Sequence, residues 1–378
     1  MSVTGIGRGG ALPAVLSGLA LLVLLAGGTP ARAQGNLRTE LTEVAKSIKK
    51  VLDGRSETAV AVGQFTGPPS FPSSAGPAIA RVLGEELRKE KVDVKLRANL
   101  VVEGLYKDVT DKESGLLAAQ LNVKVLDRRD EVLVEFQRGI LGDATLASLF
   151  GLTTQLPADG DAKERNKKLE EALDNPHTAI ANTRIAAAAG SPYAVEVLVK
   201  KPGDPGAAKA RAAEDREGLA FVPIQRGEVY EVRLINDADH EAAVTLTIDG
   251  LSMFAFSDLR NPHTRQPSYT VVFVAPHQAV TIKGWHRTNE HSEEFLVTEY
   301  SKSAAAELKS TANIGTITAC FAAAWPVKGN PPPDEGMEGH SSRATSRGPI
   351  TRTDFVEAER KTGRLRASIS VRYTKERK

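Results

Sequence analysis

Cysteine is almost missing from this chain: Cys320 is the only one in 378 residues. A single thiol closes no internal disulfide, so the fold cannot be stapled in the way many small exported domains are. The neighbours of Cys320 in TITACFAAAW are apolar, which reads as a small buried hydrophobe rather than a nucleophile. Aromatic residues are few, at 5%. The loop after the first strand, before the second helix, holds neither a G-x-x-x-x-G-K-[ST] nor a G-x-G-x-x-G stretch, so the common phosphate cradles are missing there. A G-x-S-x-G elbow and a Cys–His signature are also missing. Nothing in the sequence sets two carboxylates at the separation glycoside hydrolysis requires. A surplus of either charge is lacking too, with 49 Lys+Arg against 47 Asp+Glu.

The chain opens with MSVTGIGRGGALPAVLSGLALLVLLAGGTPARAQG. Arg8 precedes an uncharged apolar run from Leu12 to Ala26, and Ala31-Arg32-Ala33 has the form of a cleavage site. Residues 1–33 are therefore expected to be a signal peptide cut between Ala33 and Gln34. The run is shorter than the ~20 apolar residues of a spanning helix and is broken by glycine. A periplasmic or extracellular location follows, with no lipid-bearing cysteine at the cut. No second long apolar run is present, so no membrane span is expected after the signal is removed. Removal also leaves 47 basic and 47 acidic residues. A neutral chain has no global field to gather nucleic acid.

The fold class expected is α+β. Residues 34–142 read as a small α/β layer domain. Leu37, Leu41, Val44, Ala45, Ile48, Val51 and Leu52 fall at helical spacing before Gly54. The strand TAVAVGQF, a proline-rich loop and a second amphipathic helix over Ala78–Glu90 follow, then strands from LVVEGLYKDVT to EVLVEFQRGI. Ser73 and Ser74 are N-cap candidates for that second helix. Residues 143–190 read as a partly helical interdomain linker with opposite charges at i, i+4 spacing. Residues 191–326 give short alternating segments parted by Asp-Gly, Pro and Asn, the pattern of an all-β sandwich. A short helix is expected over Ser301–Ser310. Residues 327–348, with GNPPPDEG, read as a disordered linker. Residues 349–378 read as a basic tail with a possible terminal strand. From Arg343 onward eleven Lys/Arg face four Asp/Glu, which reads as a solvated face.

The stretch WHRTNEHSEEF, Trp285 to Phe295, is the strongest invitation to assign chemistry. An inverted zinc-protease motif is H-x-x-E-H, with histidines one helical turn apart. Here His286, Glu290 and His291 read H-x-x-x-E-H, and on a helix five residues advance ~500°, leaving the rings about 140° apart. The flanks QAVTIKGW and FLVTEY are strand-like, so a hairpin-like loop is expected, with Trp285 as a core or edge anchor. A loop can still gather zinc ligands, which keeps His286, Glu290 and His291 as metal candidates. His240, His263 and His277 sit beside turn residues and are expected on the surface.

The β-rich half resembles a domain of uncharacterised secreted bacterial proteins. GEVYEVRLINDADHEAAVTLTIDGLSMF, with Asp249-Gly250, SYTVVFVAPHQAVTIKGWHR, with Gly284-Trp285, and NIGTITACF, with Asn313 and Gly315, carry the likeness over Leu219–Trp325. The resemblance implies the fold and export and names no activity. VAVGQF, AIARVLGEELRKE and LVVEGLYKDV more loosely resemble the α/β modules of the curli-secretion lipoprotein family. Together these readings point to an exported, non-enzymatic envelope or surface protein without a cofactor. It would bind protein or polysaccharide partners through the 286–294 loop, the 257–268 loop or the basic tail. The alternatives are a metal-dependent hydrolase built on the 286–294 loop and a structural subunit of an envelope complex.

Overall fold

Helical spacing of apolar residues in the 37–54 stretch becomes one buried stripe, Leu41, Val44, Ala45, Ile48 and Leu52, on α1 (Leu37–Gly54). This computed structural model describes residues 37–67, 75–204, 206–263, 265–297, 314–335, 340–347 and 355–374. The leader with its Ala33–Gln34 boundary, Ser73, Ser74, Asn313 and the 301–310 segment lie outside them. The strand β1 (Ala59–Thr66) leads to α2 (Gly76–Lys89). Pro77 sits in the first turn of α2, where a missing N–H costs nothing. β2 (Asp93–Lys95), β3 (Val101–Thr110), β4 (Leu117–Leu126) and β5 (Val132–Ile140) complete a five-stranded sheet in the order β2-β1-β3-β4-β5. It is mixed: β1 runs parallel to β2 and β3, while β3, β4 and β5 alternate. Strand periodicity decides what is buried. Leu117, Ala119, Leu121, Val123 and Val125 of β4 join the same cluster as the helix stripes.

Three short elements follow: α3 (Asp143–Phe150), β6 (Thr154–Gln155) and α4 (Ala162–Asp174). α3 ends on Gly151 in the left-handed region, with φ +60°. Asp161 caps α4, its carboxylate accepting from the Glu164 N–H at 2.8 Å.

The remaining strands open with β7 (Ala179–Ala181), β8 (Arg184–Ala186), β9 (Tyr193–Lys200), β10 (Lys209–Ala210), β11 (Glu214–Arg216) and β12 (Leu219–Phe221). Next come β13 (Val229–Asn236), β14 (Glu241–Ile248), β15 (Leu251–Ser252), β16 (Val272–Val274) and β17 (Gln278–Ile282). β18 (Gly284–His286), β19 (Ser292–Leu296), β20 (Ile314–Pro326), β21 (His340–Arg347) and β22 (Phe355–Thr374) end the series. An eight-stranded sheet runs β18-β19-β13-β9-β8-β7, with β10 on β9 and β17 on β13. A nine-stranded sheet runs β11-β12-β22-β20-β14-β16-β21, with β15 on β14 and β6 on β22. Alternate residues from both sheets meet in one apolar cluster: Val195, Val197, Val232 and Leu234 from the first, Val244, Leu246, Phe321, Ile369 and Val371 from the second. The chain is thus α+β, with strand predominating. Among the described residues no helix is long and apolar enough to cross a membrane.

Three readings of the sequence change here. The 143–190 stretch is more than a connection, because α3 packs on β20 and β22. Phe150, Leu152, Leu156 and Leu169 share the first module's core with Cys320 and Leu365 of the large sheet. The large sheet's other face carries buried Thr, Ser and Arg side chains, and the layer from 151 to 154 bonds several of them. Thr318 bonds Ser370 Oγ at 2.8 Å, Thr153 Oγ1 accepts from Ser370 N–H at 3.0 Å, and Arg372 donates to Gly151 O at 2.8 Å. Burial lowers the Arg372 pKa to about 10.

The 327–348 stretch, expected to be disordered, contains β21, which pairs antiparallel with β22 from His340 to Arg347. Among the described residues of the basic tail, 355–374 form a terminal strand rather than a solvated face: β22 pairs with β20 from Ile314↔Thr374 to Pro326↔Arg360. Its arginines have structural partners, Arg360 on Glu241 at 2.6 Å and Arg364 on Gly160 O at 2.8 Å. Elsewhere, LSMFAFSD supplies only the two-residue β15 before a turn over 253–256.

Candidate functional site

The Trp285–Phe295 stretch forms a tight hairpin. β18 and β19 pair Gly284↔Glu294, Trp285↔Glu293 and His286↔Ser292. Gly284 is required where it stands, because a Cβ there would collide with Glu293 O. The hairpin sends the two histidines to different surroundings, His286 in β18 and His291 in the turn. His286 is fully buried, its Nδ1 3.1 Å from Ser257 Oγ and its ring 5.2 Å from Phe254 and 5.7 Å from Tyr269. His291 is exposed at the tip, where the Thr288 hydroxyl accepts from the Glu290 and His291 N–H groups, each at 3.2 Å. Glu290 is exposed as well. Among the described residues no group of three or more His, Cys, Asp or Glu side chains is placed to hold a metal. Trp285 packs edge-on against Phe256 and Phe295, at 5.0 and 5.2 Å. The 257–268 loop lies alongside, with Arg287 donating to Asp258 at 3.0 Å. The turn that precedes the 257–268 loop touches the first module, where Arg81 of α2 covers the Phe256 ring at 4.8 Å and bonds Ala255 O.

A cleft lies elsewhere. It measures about 960 Å³ and opens where the start of β9, the β13–β14 turn, β6 and the 326–334 segment converge. That is the upper end of the range for ligand sites. Asn236 builds its central turn. The side chain is fully buried, donates to His240 O at 2.8 Å and Val274 O at 3.0 Å, and accepts from Ala238 N–H at 3.1 Å. His240 is thereby held half-buried, with Nε2 2.9 Å from the Tyr193 hydroxyl. Tyr193 stacks on Phe321, centroids 5.1 Å apart. Burial pushes its phenol up to about 12. The hydroxyl therefore keeps its proton at neutral pH, and the direction of its bond to Nε2 follows the imidazole tautomer.

Arg366 reaches the same cleft through a β-bulge. Phe321 pairs with Ala367 and Ala322 with Leu365, so Arg366 is the extra residue. It donates to both Asp334 oxygens, at 2.7 and 2.8 Å, and to Glu335 at 2.9 Å. Burial weighs against its charge, but the two carboxylates outweigh that and raise its pKa. In return, hydrogen bonds from Arg366 hold the Asp334 carboxyl below the usual range. The Pro331–Pro333 segment is thus pinned to β22 as one wall.

Of the residues singled out in the sequence, only His240 lines this cleft, and it is half-buried where a surface position was expected. His263 and His277 are exposed. The 286–294 and 257–268 loops contribute nothing to it. Tyr193, Trp325 and Arg366 were not singled out. The one local cue was the polar turn NDADH between two strands.

Burial lowers the pKa of both His240 and His286. An unfolded imidazole, titrating near 6.5, then binds protons that the folded one refuses. Stability is whole above that pH and is lost as pH falls through the unfolded value toward the depressed folded ones. Thermal melts between about pH 7.5 and about pH 5 should show the midpoint falling by a few degrees. His286→Gln should flatten the decline, and an unchanged slope would remove His286 from the account.

Compared with protein-family models, curated proteins and solved structures, the chain finds no match.

Proposed function

We propose that the chain is an exported, non-enzymatic binding protein of the cell envelope or surface. Its two facing C-terminal sheets form a β-sandwich, and the cleft beside His240 recognises protein or polysaccharide. The observation that carries this reading is the charge state of the cleft wall. Arg366 is committed to Asp334 and Glu335, Glu241 lies 2.6 Å from Arg360, and Asp237 lies 2.6 Å from Arg184. The Asp334 carboxylate, held ionised by Arg366, is a poor proton shuttle near neutral pH, and a paired guanidinium is a poor electrophile. Such a wall holds a ligand rather than transforming it. Export rests on the leader.

The test uses Asn330, an exposed cleft residue. Purified full chain mixed with the insoluble envelope fraction should co-sediment. Asn330→Trp, with an unchanged melting temperature, should reduce the bound share about tenfold, an effect of ~1.4 kcal/mol. No sedimentation, or equal sedimentation of both proteins, overturns the reading.

A further inference from the structure

We propose that the cleft takes an uncharged, hydroxyl-rich ligand, a segment of neutral glycan; this rests on the cleft being the recognition site. Two features of the wall select the ligand. The first is the lack of an uncommitted buried cation. Arg366 is the only Lys or Arg among the lining residues, and both of its terminal nitrogens are held by Asp334 and Glu335. A phosphate, sulfate or uronate entering here would meet Asp237, Asp239, Glu241 and Asp334 without a free positive partner. Taking an anion out of water without compensation is strongly unfavourable.

The second feature is a shortage of donors. Seven of the lining residues are prolines, among them Pro157, Pro276 and the run Pro331–Pro333. Each offers a carbonyl and no N–H. The wall therefore presents carbonyl and carboxylate acceptors, with few donors beyond the imidazole of His240 and the amides of Asn330 and Gln155. A ligand fits such a wall when it brings its own donors. Sugar hydroxyls do so several times per residue, while the C–H faces of the rings pack on proline rings. An extended peptide brings only one backbone donor per residue, always with an acceptor. A lipid tail would strip water from the carbonyl and carboxylate oxygens and offer no donor in return.

The experiment is titration calorimetry of the purified full chain with three probes: cellohexaose, maltohexaose and the hexamer of N-acetylglucosamine. At least one should bind with a sub-millimolar Kd, unchanged within about twofold between about 0.05 and about 0.5 M NaCl, because no ion pair forms. His240→Ala should weaken it about tenfold or more. Asn330→Trp, at an exposed position, should do the same without altering the melt, so a folding defect in the first variant leaves the test intact. Silence of all three hexamers to about 10 mM, or tighter binding of a sulfated hexamer or a proline-rich peptide, overturns the proposal. If envelope binding still depends on Asn330 while the hexamers are silent, the ligand class is wrong and the recognition site stands. If envelope binding also fails to depend on Asn330, the site itself falls.

Discussion

Arg165→Ala should lower the stability of the chain by about 3–5 kcal/mol, the range for breaking a buried, hydrogen-bonded charge. Arg165 is 1% exposed, yet it lies on the charged helix α4. Its Nε donates to Asp143 Oδ2 at 2.7 Å, its Nη2 to Leu365 O at 2.7 Å, and its Nη1 to Pro157 O. One guanidinium therefore ties α4 to the start of α3, to the 151–160 turn and to β22. Burial lowers its pKa, and Asp143 opposes this. Truncation leaves two carbonyls with lost donors, a carboxylate beside an apolar core and a void. Urea denaturation should show the midpoint falling at constant slope. Arg165→Met restores most of the volume but none of the bonds, so it should recover only the cavity share. A loss below about 1 kcal/mol for Arg165→Ala would mean that 143–174 is a loose connector.

Phe321→Ala should cost about 3–5 kcal/mol by a different route, the void left in a close-packed core. The ring is fully buried between the two sheets and lies nearly parallel to Tyr193, at 27°. The conservative Phe321→Leu separates stability from function. It should cost less than about 1.5 kcal/mol, yet it removes the flat surface that fixes the phenol beneath His240. Binding of a cleft ligand should then weaken several-fold in a protein that still folds. Chemical denaturation and calorimetry on the same two variants check both halves. Binding that is unchanged in Phe321→Leu would show that the Tyr193–His240 contact does not depend on this ring.

What could be read in advance follows from locality. The stripes of α1 and α2 and the alternation of β4 are periods of 3.6 and 2, each contained in one window, and they set the first module plainly. The hairpin at Trp285–Phe295 was legible for the same reason: one wrong spacing and two strand-like flanks. The cleft was not. Tyr193 and His240 are 47 residues apart, and only the register Tyr193↔Asn236 brings them together. The arginines of β22 looked like solvated charge because a basic run without its partners reads that way. Arg366 meets Asp334 and Glu335 across 32 and 31 residues, through a bulge that no periodicity announces. Thr316, Thr318, Ser368 and Ser370 are polar yet buried. A hydrophobicity pattern places such residues in water, and only the covering layer explains them.

The great length of β22 sets a timetable. Ser370 bonds Thr153 across 217 residues, and Gln155 finds its partner only at Ala367. Closing so wide a loop adds little to the final free energy but slows the search for it. On an elongating ribosome, the helices and sheet of the first module can assemble from neighbours, while Phe150 and Leu152 wait, greasy and uncovered, for a strand not yet translated. The contact between the 151–155 layer and β22 can close only after residues 355–374 have been made.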